Sequence, residues 1–513
     1  MNNKYYYSII ISFFSGFLSL SQEILWVKLV SFVYFSTPKA FAFVLGVYLI
    51  GIALGAFIGQ KLCKKSNQNL YLFCGFFLLA AAILEPIFAF LIASIPFENP
   101  LNPQIVTYGI LISAGLRGAV FPIIHHLGSQ NNIRIGASIA NVYSANVFGS
   151  TLGPLLTGFI LLDKLSLQQS FLFISLITII VSYFCVSTSK IKIKNLNYFQ
   201  VFFLIIITIY INPKNEYISI FLTKDASQNK FANHIIQNKH GIIHTFSNPT
   251  GDIVFGGNVY DGTTNTDLLI NSNRINRAYM VSLLHPNIEN ILVIGLSTGA
   301  WVKTLTSIPT VRKIHVIEIN SGYLDLIKKY PNIRSILADP RITIEITDGR
   351  KWLNRHPNEK FDFILMNTTF HWRAYATNLL SDDFLHTVKS HLNEHGVLYY
   401  NSTNSDYVHY TASKAFSYAY RYDNFVISSD DDIKERLLTQ NNQSLLNKLA
   451  WPDTKQKVFD ITEPKQQEAI QNMLSIPLLS IDEFTKNNPH KTLRTITDDN
   501  MITEYKYGRN FWP

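Results

Sequence analysis

Asn290-Ile-Leu-Val-Ile-Gly-Leu-Ser-Thr-Gly-Ala-Trp301 is the stretch on which the fold turns. Its apolar, β-branched opening is of the kind buried on both faces of a parallel sheet. The run stops at Gly295, and a helical pattern restarts near Gly299. Strand, glycine turn and helix in that order bring backbone N–H groups up to a nucleotide-like ligand. A second strand, 313–319, carries Glu318 near its end, where a carboxylate can accept both hydroxyls of a ribose. A third, 341–347, runs into Asp348-Gly349-Arg350, and a fourth, 361–366, into Asn367-Thr368-Thr369. Each polar cluster follows the C-terminal end of a strand, where open α/β sheets hold ligands. A plainer reading stands beside this one: tight βα turns need glycine anyway, and Glu318 and Asp348 would then only cap the helices that follow.

The order of Gly-Leu-Ser-Thr-Gly-Ala-Trp, Val-Ile-Glu-Ile-Asn, Ala-Asp-Pro-Arg-Ile-Thr-Ile-Glu-Ile-Thr-Asp-Gly-Arg and Phe-Asp-Phe-Ile-Leu-Met-Asn resembles the spermidine synthase branch of the class I S-adenosylmethionine-dependent transferases. The resemblance covers about residues 240–430. Upstream, Asn258-Val-Tyr-Asp-Gly-Thr-Thr-Asn265 is similar to the family's Leu-Asp-Gly-x-x-Gln segment, with Asp261 matching and Asn265 in place of the glutamine. The resemblance implies S-adenosylmethionine or its decarboxylated form as cosubstrate. Gly295, Ser297 and Gly299 would line its methionine and ribose part, Glu318 would hold the ribose, and Asp348 and Gly349 would face the adenine. Two departures stand out. The synthases carry Asp-Ser-x-Asp-Pro after the fourth strand, and the first Asp helps deprotonate the attacking amine. Here Asn367-Thr368-Thr369-Phe370-His371 follows, and an amide takes no proton near neutral pH. The family's Tyr-His-Glu polyamine patch keeps only Tyr279, followed by Met280 and Val281. The nucleoside half of the site is kept and the diamine half rewritten.

His371-Trp372-Arg373-Ala-Tyr375-Ala-Thr377-Asn378-Leu-Leu-Ser381 lies where the synthases gate their substrate. His371 is the candidate to replace the missing base, since its ordinary pKa is near 6.5. Arg373 disfavours a cationic diamine and favours a carboxylate-bearing group. Thr368 and Trp372 complete the expected acceptor contacts, and a loop packed on the sheet edge with Trp372 as its anchor is the rival reading. Ser381 reads as a helix N-cap. Residues 404–475 read as helix-rich. The tail Thr497–Tyr505 again resembles the family, and its vicinal acids Asp498 and Asp499 would bind an amine or metal, or cap a turn.

The chain has 513 residues, too many for one core. Hydrophobic residues make up 48% and charged residues 15%, which points to a membrane part. Apolar runs recur at about 5–35, 40–60, 70–95, 105–127, 135–161, 167–187 and 198–211, the last short for a span. The net charge is +9, and residues 1–222 hold 13 Lys/Arg against 5 Asp/Glu while the remainder is nearly balanced. The excess therefore belongs to membrane loops and does not argue for nucleic acid. Lys4, Lys61, Lys64, Lys65, Arg134, Lys190, Lys192 and Lys194 fall on one side, against Lys39 and Lys164 on the other. That bias puts the N-terminus and loop 188–197 in the cytoplasm of a cell (inner) membrane protein. The soluble domain is cytoplasmic if 198–211 does not span, and periplasmic if it does. Gly51, Gly55 and Gly59, and then Gly149 and Gly153, are spaced for close helix approach. Glu23, Lys28, Glu85 and Arg117 fall inside apolar runs, either as a clasp or as a polar path through the bundle, which Asn141, Asn146, His125 and His126 would also line. No metal site is expected, and Cys63, Cys74 and Cys185 show no disulfide or zinc spacing.

The expected architecture is an α-helical membrane bundle of six to seven transmembrane helices over residues 1–211, then a linker, 212–239. An α/β Rossmann-like methyltransferase-type domain with a small N-terminal β-region occupies 240–435, and a helical extension and tail occupy 436–513. The leading functional expectation is an integral-membrane spermidine synthase-like transferase. Methyl transfer to a membrane-delivered acceptor and a non-catalytic transporter or sensor with a degenerate synthase domain are the rivals. Expected partners are a small-molecule amine or membrane-associated acceptor and the lipid bilayer. Homo-oligomerisation stays open.

Overall fold

The structure is a computed structural model that describes residues 3–64, 69–129, 135–189, 195–210, 216–224, 231–487 and 492–506. Lys65, Arg134, Lys190, Lys192 and Lys194, which carry most of the charge bias, lie outside these residues. Two compact units divide between Ile242 and Ile243.

The first unit is built from α1 (Asn3–Val33), α2 (Pro38–Cys63), α3 (Leu70–Ser94), α4 (Leu101–Ser129), α5 (Ile135–Leu156, prolonged by a π-turn over Thr157–Leu161) and α6 (Leu167–Thr188). Among the described residues six helices are long and apolar enough to cross a membrane. The seventh apolar run forms the helix Leu196–Tyr210. Its 15 residues reach about 22 Å, less than the roughly 30 Å of a hydrocarbon core.

Glycine spacing sets the helix contacts as expected. A Cβ on Gly55 of α2 would lie 1.9 Å from the Gly115 carbonyl oxygen of α4, and one on Gly149 of α5 would lie 1.9 Å from the Phe13 oxygen of α1. Only a missing side chain permits such backbone approach. Asn146 Nδ2 donates to the Ser12 carbonyl at 2.9 Å and Asn141 Nδ2 to Tyr5 Oη at 2.8 Å, so both asparagines tie α5 to α1. The Arg117 guanidinium meets Glu85 fork to fork, Nε to Oε1 at 2.7 Å and Nη2 to Oε2 at 2.6 Å, and Nη2 also reaches Thr178 Oγ1 at 3.2 Å. This is the clasp reading, linking α3, α4 and α6. Glu23 stands outside it, and Lys28 donates to the carbonyls of Asn238 and Lys239, each at 3.1 Å. The expected linker 212–239 contains a helix, Tyr217–Lys224, and a strand, β1 (His234–Gln237). Pro213 lies outside the described residues.

The second unit opens with an antiparallel meander, β2 (Ile242–Phe246), β3 (Ile253–Gly256) and β4 (Val259–Thr263), which is the expected small β-region. The main sheet has eight strands. In chain order they are β5 (Asn290–Ile294), β6 (Lys313–Glu318), β7 (Ile342–Ile346), β8 (Phe361–Met366), β9 (Leu392–Asn401), β10 (Tyr418–Tyr422), β11 (Phe425–Ser429) and β12 (Leu479–Ser480). Their spatial order is β12-β10-β11-β9-β8-β5-β6-β7. Strands β5 to β9 run parallel and β10 to β12 antiparallel, so the sheet is mixed. The β10–β11 hairpin corrects the helix-rich reading of 404–475. Tyr418, Tyr420 and Tyr422 alternate in a strand whose turn is carried by Asp423 in left-handed backbone. Leu292, Ile294, Ile364, Met366, Phe384 and Leu398 belong to one buried core against the sheet. Each such side chain contributes about 1.5–3 kcal/mol by burial. Order reverses between β5 and β8, which opens a crevice beyond their C-terminal ends.

Candidate nucleoside-binding site

The glycine turn lies at that crevice. Gly295 (φ +94°), Ser297 (φ +47°) and Gly299 (φ +76°) all hold left-handed backbone. A Cβ on Gly295 would sit 2.9 Å from the Asn367 carbonyl oxygen beyond β8, and one on Gly299 would strike Ile327, Ile333 and Ile336. Glycine is needed at both positions, whereas Ser297 adopts its strained conformation with a side chain that donates from Oγ to the Asp261 carbonyl at 2.7 Å.

Glu318 closes the turn from β6. Its Oε2 accepts from Leu296 N–H at 2.7 Å and its Oε1 from Asn320 N–H at 2.8 Å. The side chain is buried, and burial pushes the carboxyl up to about 7 despite those two donors. A carboxylate has about four lone-pair sites, so Glu318 keeps capacity for a ligand hydroxyl. Asp348 caps the helix Gly349–Arg355, accepting from Lys351 N–H at 2.7 Å, while Gly349 packs on Ile294. Asp348 thus caps its helix, and Glu318 buttresses the glycine turn.

Tyr323, absent from the expected set, hydrogen-bonds through its hydroxyl to Asp261 Oδ2. Burial raises the Asp261 carboxyl, opposed by the Tyr323 hydroxyl and by the nearby Arg373 charge. Arg373 Nη1 donates to Thr369 Oγ1 at 2.6 Å, and desolvation lowers its pKa even though the side chain keeps a partly open surface. Ser297, Glu318, Tyr323, Asp261 and Arg373 thus converge by contact or by mutual charge at one place.

The remaining candidates show no described side-chain contact to Glu318 or Asp261. Asn367 Oδ1 accepts from Asn401 Nδ2 at 3.4 Å; Asn401 Oδ1 accepts from Asn424, whose own Oδ1 accepts from Arg277. The amide is one end of a chain of three asparagines that terminates at the Arg277 guanidinium. His371 contacts Thr403, whose Oγ1 lies 2.6 Å from Nδ1, and burial pushes its pKa down to about 4. Trp372 packs at a tilt against Phe370, 5.4 Å between ring centroids. Asn265 spends its amide on the Asp267 backbone, in an Asx turn. Tyr279 donates to the Thr266 carbonyl at 2.8 Å and lines a cavity of about 300 Å³ with Asp267, Trp451 and Phe459. No described contact joins Asn265 or Tyr279 to Asp261 or Glu318. Of the tail acids, Asp498 is held by Arg350 at 2.8 and 2.6 Å and accepts from Ser381 Oγ. Among the described residues no cluster of three His, Cys, Asp or Glu is arranged to hold a metal.

Residues 277–422 match the family described as the spermine/spermidine synthase domain. This stretch contains β5 to β10 and most of the crevice. The C-terminal domain is spermidine synthase-like. A polyamine aminopropyltransferase of Thermoanaerobacter sp. (strain X514) is 34% identical over 115 residues, 22% of this chain and 41% of the relative. One of Clostridium perfringens (strain SM101 / Type A) is 37% identical over 86 residues, 17% of this chain and 30% of the relative. The chain thus spans less than half the length of these relatives. A crystal structure of spermidine synthase with the transition-state analogue AdoDATO covers 51% of this chain and 89% of its own, at 18% identity and a TM-score of 0.39. The synthase-like domain keeps the glycine turn and Glu318 in the matched region, and Asp261 falls upstream of it.

Proposed function

We propose that this chain is a multi-pass membrane transferase whose synthase-like domain binds a sulfonium nucleoside, S-adenosylmethionine or its decarboxylated form, and passes an alkyl carbon from it to a nucleophile. The relatives it matches are named for aminopropyl transfer. The observation that carries the reading is Glu318, a buried carboxyl at the end of β6 clamped on the glycine turn at the point where strand order reverses.

The reaction asks mostly for positioning: a nucleophile in line with the carbon and departing thioether, in a site that excludes water. Asn367 cannot take the nucleophile's proton. His371 is neutral near pH 7 and can receive it, though with a pKa near 4 it is a weak base that must hand the proton on to solvent. A His371→Ala variant is expected to lose about tenfold or more in kcat with KM little changed. Unchanged turnover removes His371 from the mechanism. We place the domain in the cytoplasm, where the nucleoside is made; labelling of an introduced surface cysteine from outside intact cells would overturn that placement.

A further inference from the structure

We infer that Asn367, locked by a relay of amides anchored at Arg277, presents an N–H donor at the end of β8, so that the acceptor substrate docks there through an oxygen and not through an amine. The inference rests on the transferase reading above and narrows its acceptor. Asn367 abuts the glycine turn at the crevice, since its carbonyl oxygen would lie 2.9 Å from a Cβ on Gly295. Asn401 ends the neighbouring strand β9, and Asn424 immediately precedes β11.

The orientation of each amide follows from two groups that can only donate. A guanidinium has no acceptor, so the atom of Asn424 that Arg277 Nη1 meets is its oxygen. A backbone N–H likewise only donates, and that of Thr403 lies 2.8 Å from Asn401 Oδ1. Asn424 Nδ2 donates to the same oxygen at 3.1 Å, and Asn401 Nδ2 donates to Asn367 Oδ1 at 3.4 Å, the loosest link. Asn367 Oδ1 is thereby taken. Its Nδ2 has no partner among the described residues, and the side chain is only half-buried. The anchor is held from several directions. Arg277 is buried, donates from Nε to the Arg274 carbonyl at 3.0 Å and from Nη2 to the Asn273 carbonyl at 3.1 Å, and lies 5.2 and 5.0 Å from the ring centroids of Trp301 and Phe425. The open end of the relay is therefore an N–H. An ammonium placed there sets donor against donor, whereas a carboxylate or hydroxyl oxygen completes the chain.

The test uses full-length, detergent-solubilised protein saturated with methylthioadenosine and titrated with 4-aminobutanoate and with 1,4-diaminobutane. The two probes share one ammonium end and differ at the other. The wild type should bind 4-aminobutanoate at least about tenfold more tightly than the diamine. Asn367→Leu removes the donor, and Asn401→Leu removes the amide that orients it; neither changes any charge. Each should cut the ratio about tenfold. Equal binding, a preference for the diamine, or no binding of either probe by the saturated wild type overturns the inference and leaves the nucleoside reading standing. An undiminished ratio in either variant does the same. Failure of the wild type to bind methylthioadenosine overturns both. If one leucine variant does not fold, the wild-type ratio and the other variant decide.

Discussion

Glu318 is raised to about 7 by burial, and the direction of that shift has two consequences. A carboxyl raised on folding favours the protonated state, so its ionisation penalises the native domain increasingly as pH climbs from the ordinary value of 4.5 through about 7. A ribose diol donates to the ionised form. Nucleoside binding is therefore expected to release a proton and to tighten as pH rises from about 6 to about 8. Glu318→Gln should flatten that dependence, and a wild-type affinity that does not change across this range would contradict the assignment. Glu318, Gly295 and Gly299 were legible in the sequence because each is required by its own turn or strand end. Tyr323 was not, since nothing local distinguishes it; it matters only because β4 brings Asp261 across to it. Asp348 and Asn265 show a second, local use that the sequence motif did not separate from ligand contact: their side chains accept from nearby backbone N–H groups.

At the scale of elements, strands β5 to β8 were readable from apolar runs and their polar ends. The β10–β11 hairpin was missed although Tyr418, Tyr420 and Tyr422 alternate ahead of an Asp423-Asn424 turn, because that short signal sits between polar stretches that do fold as helices. The loop after β8 owes its shape to the chain's tail. Glu504 is buried, its Oε2 accepting from Tyr375 N–H at 3.0 Å and its Oε1 from Thr377 N–H at 2.7 Å, with Tyr375 in left-handed backbone at φ +69°. The family resemblance of the tail drew attention to Asp498 and Asp499, while the carboxylate that shapes the loop lies several residues further on. Glu504→Ala leaves two backbone donors without an acceptor and should cost about 1–3 kcal/mol. The checks are a lowered midpoint of thermal unfolding and faster proteolysis at residues 370–381; an unchanged cleavage pattern would show that the loop holds itself.

For the whole molecule, composition alone separated an apolar N-terminal half from a charged C-terminal half. Length separated six runs long enough to cross a membrane from the short seventh. What it left open was whether Glu85 and Arg117 serve a path or a clasp, since pairing is decided by helix rotation and not by hydropathy. Their two-bond contact makes a definite prediction. Arg117→Ala strands a buried carboxylate and should destabilise the bundle by about 3–5 kcal/mol, whereas replacing both partners with apolar residues of similar size should restore most of that in a detergent melt. Equal losses in the single and double variants would point to a role beyond the clasp. The central claim concerns the other unit: a synthase-like domain that still binds its nucleoside although the diamine half of the site has changed. Calorimetric titration of methylthioadenosine into the full-length protein, with Glu318→Ala alongside, tests it most directly. The account predicts saturable one-site binding that the variant abolishes. No binding by the wild type, or undiminished binding by the variant, would contradict it.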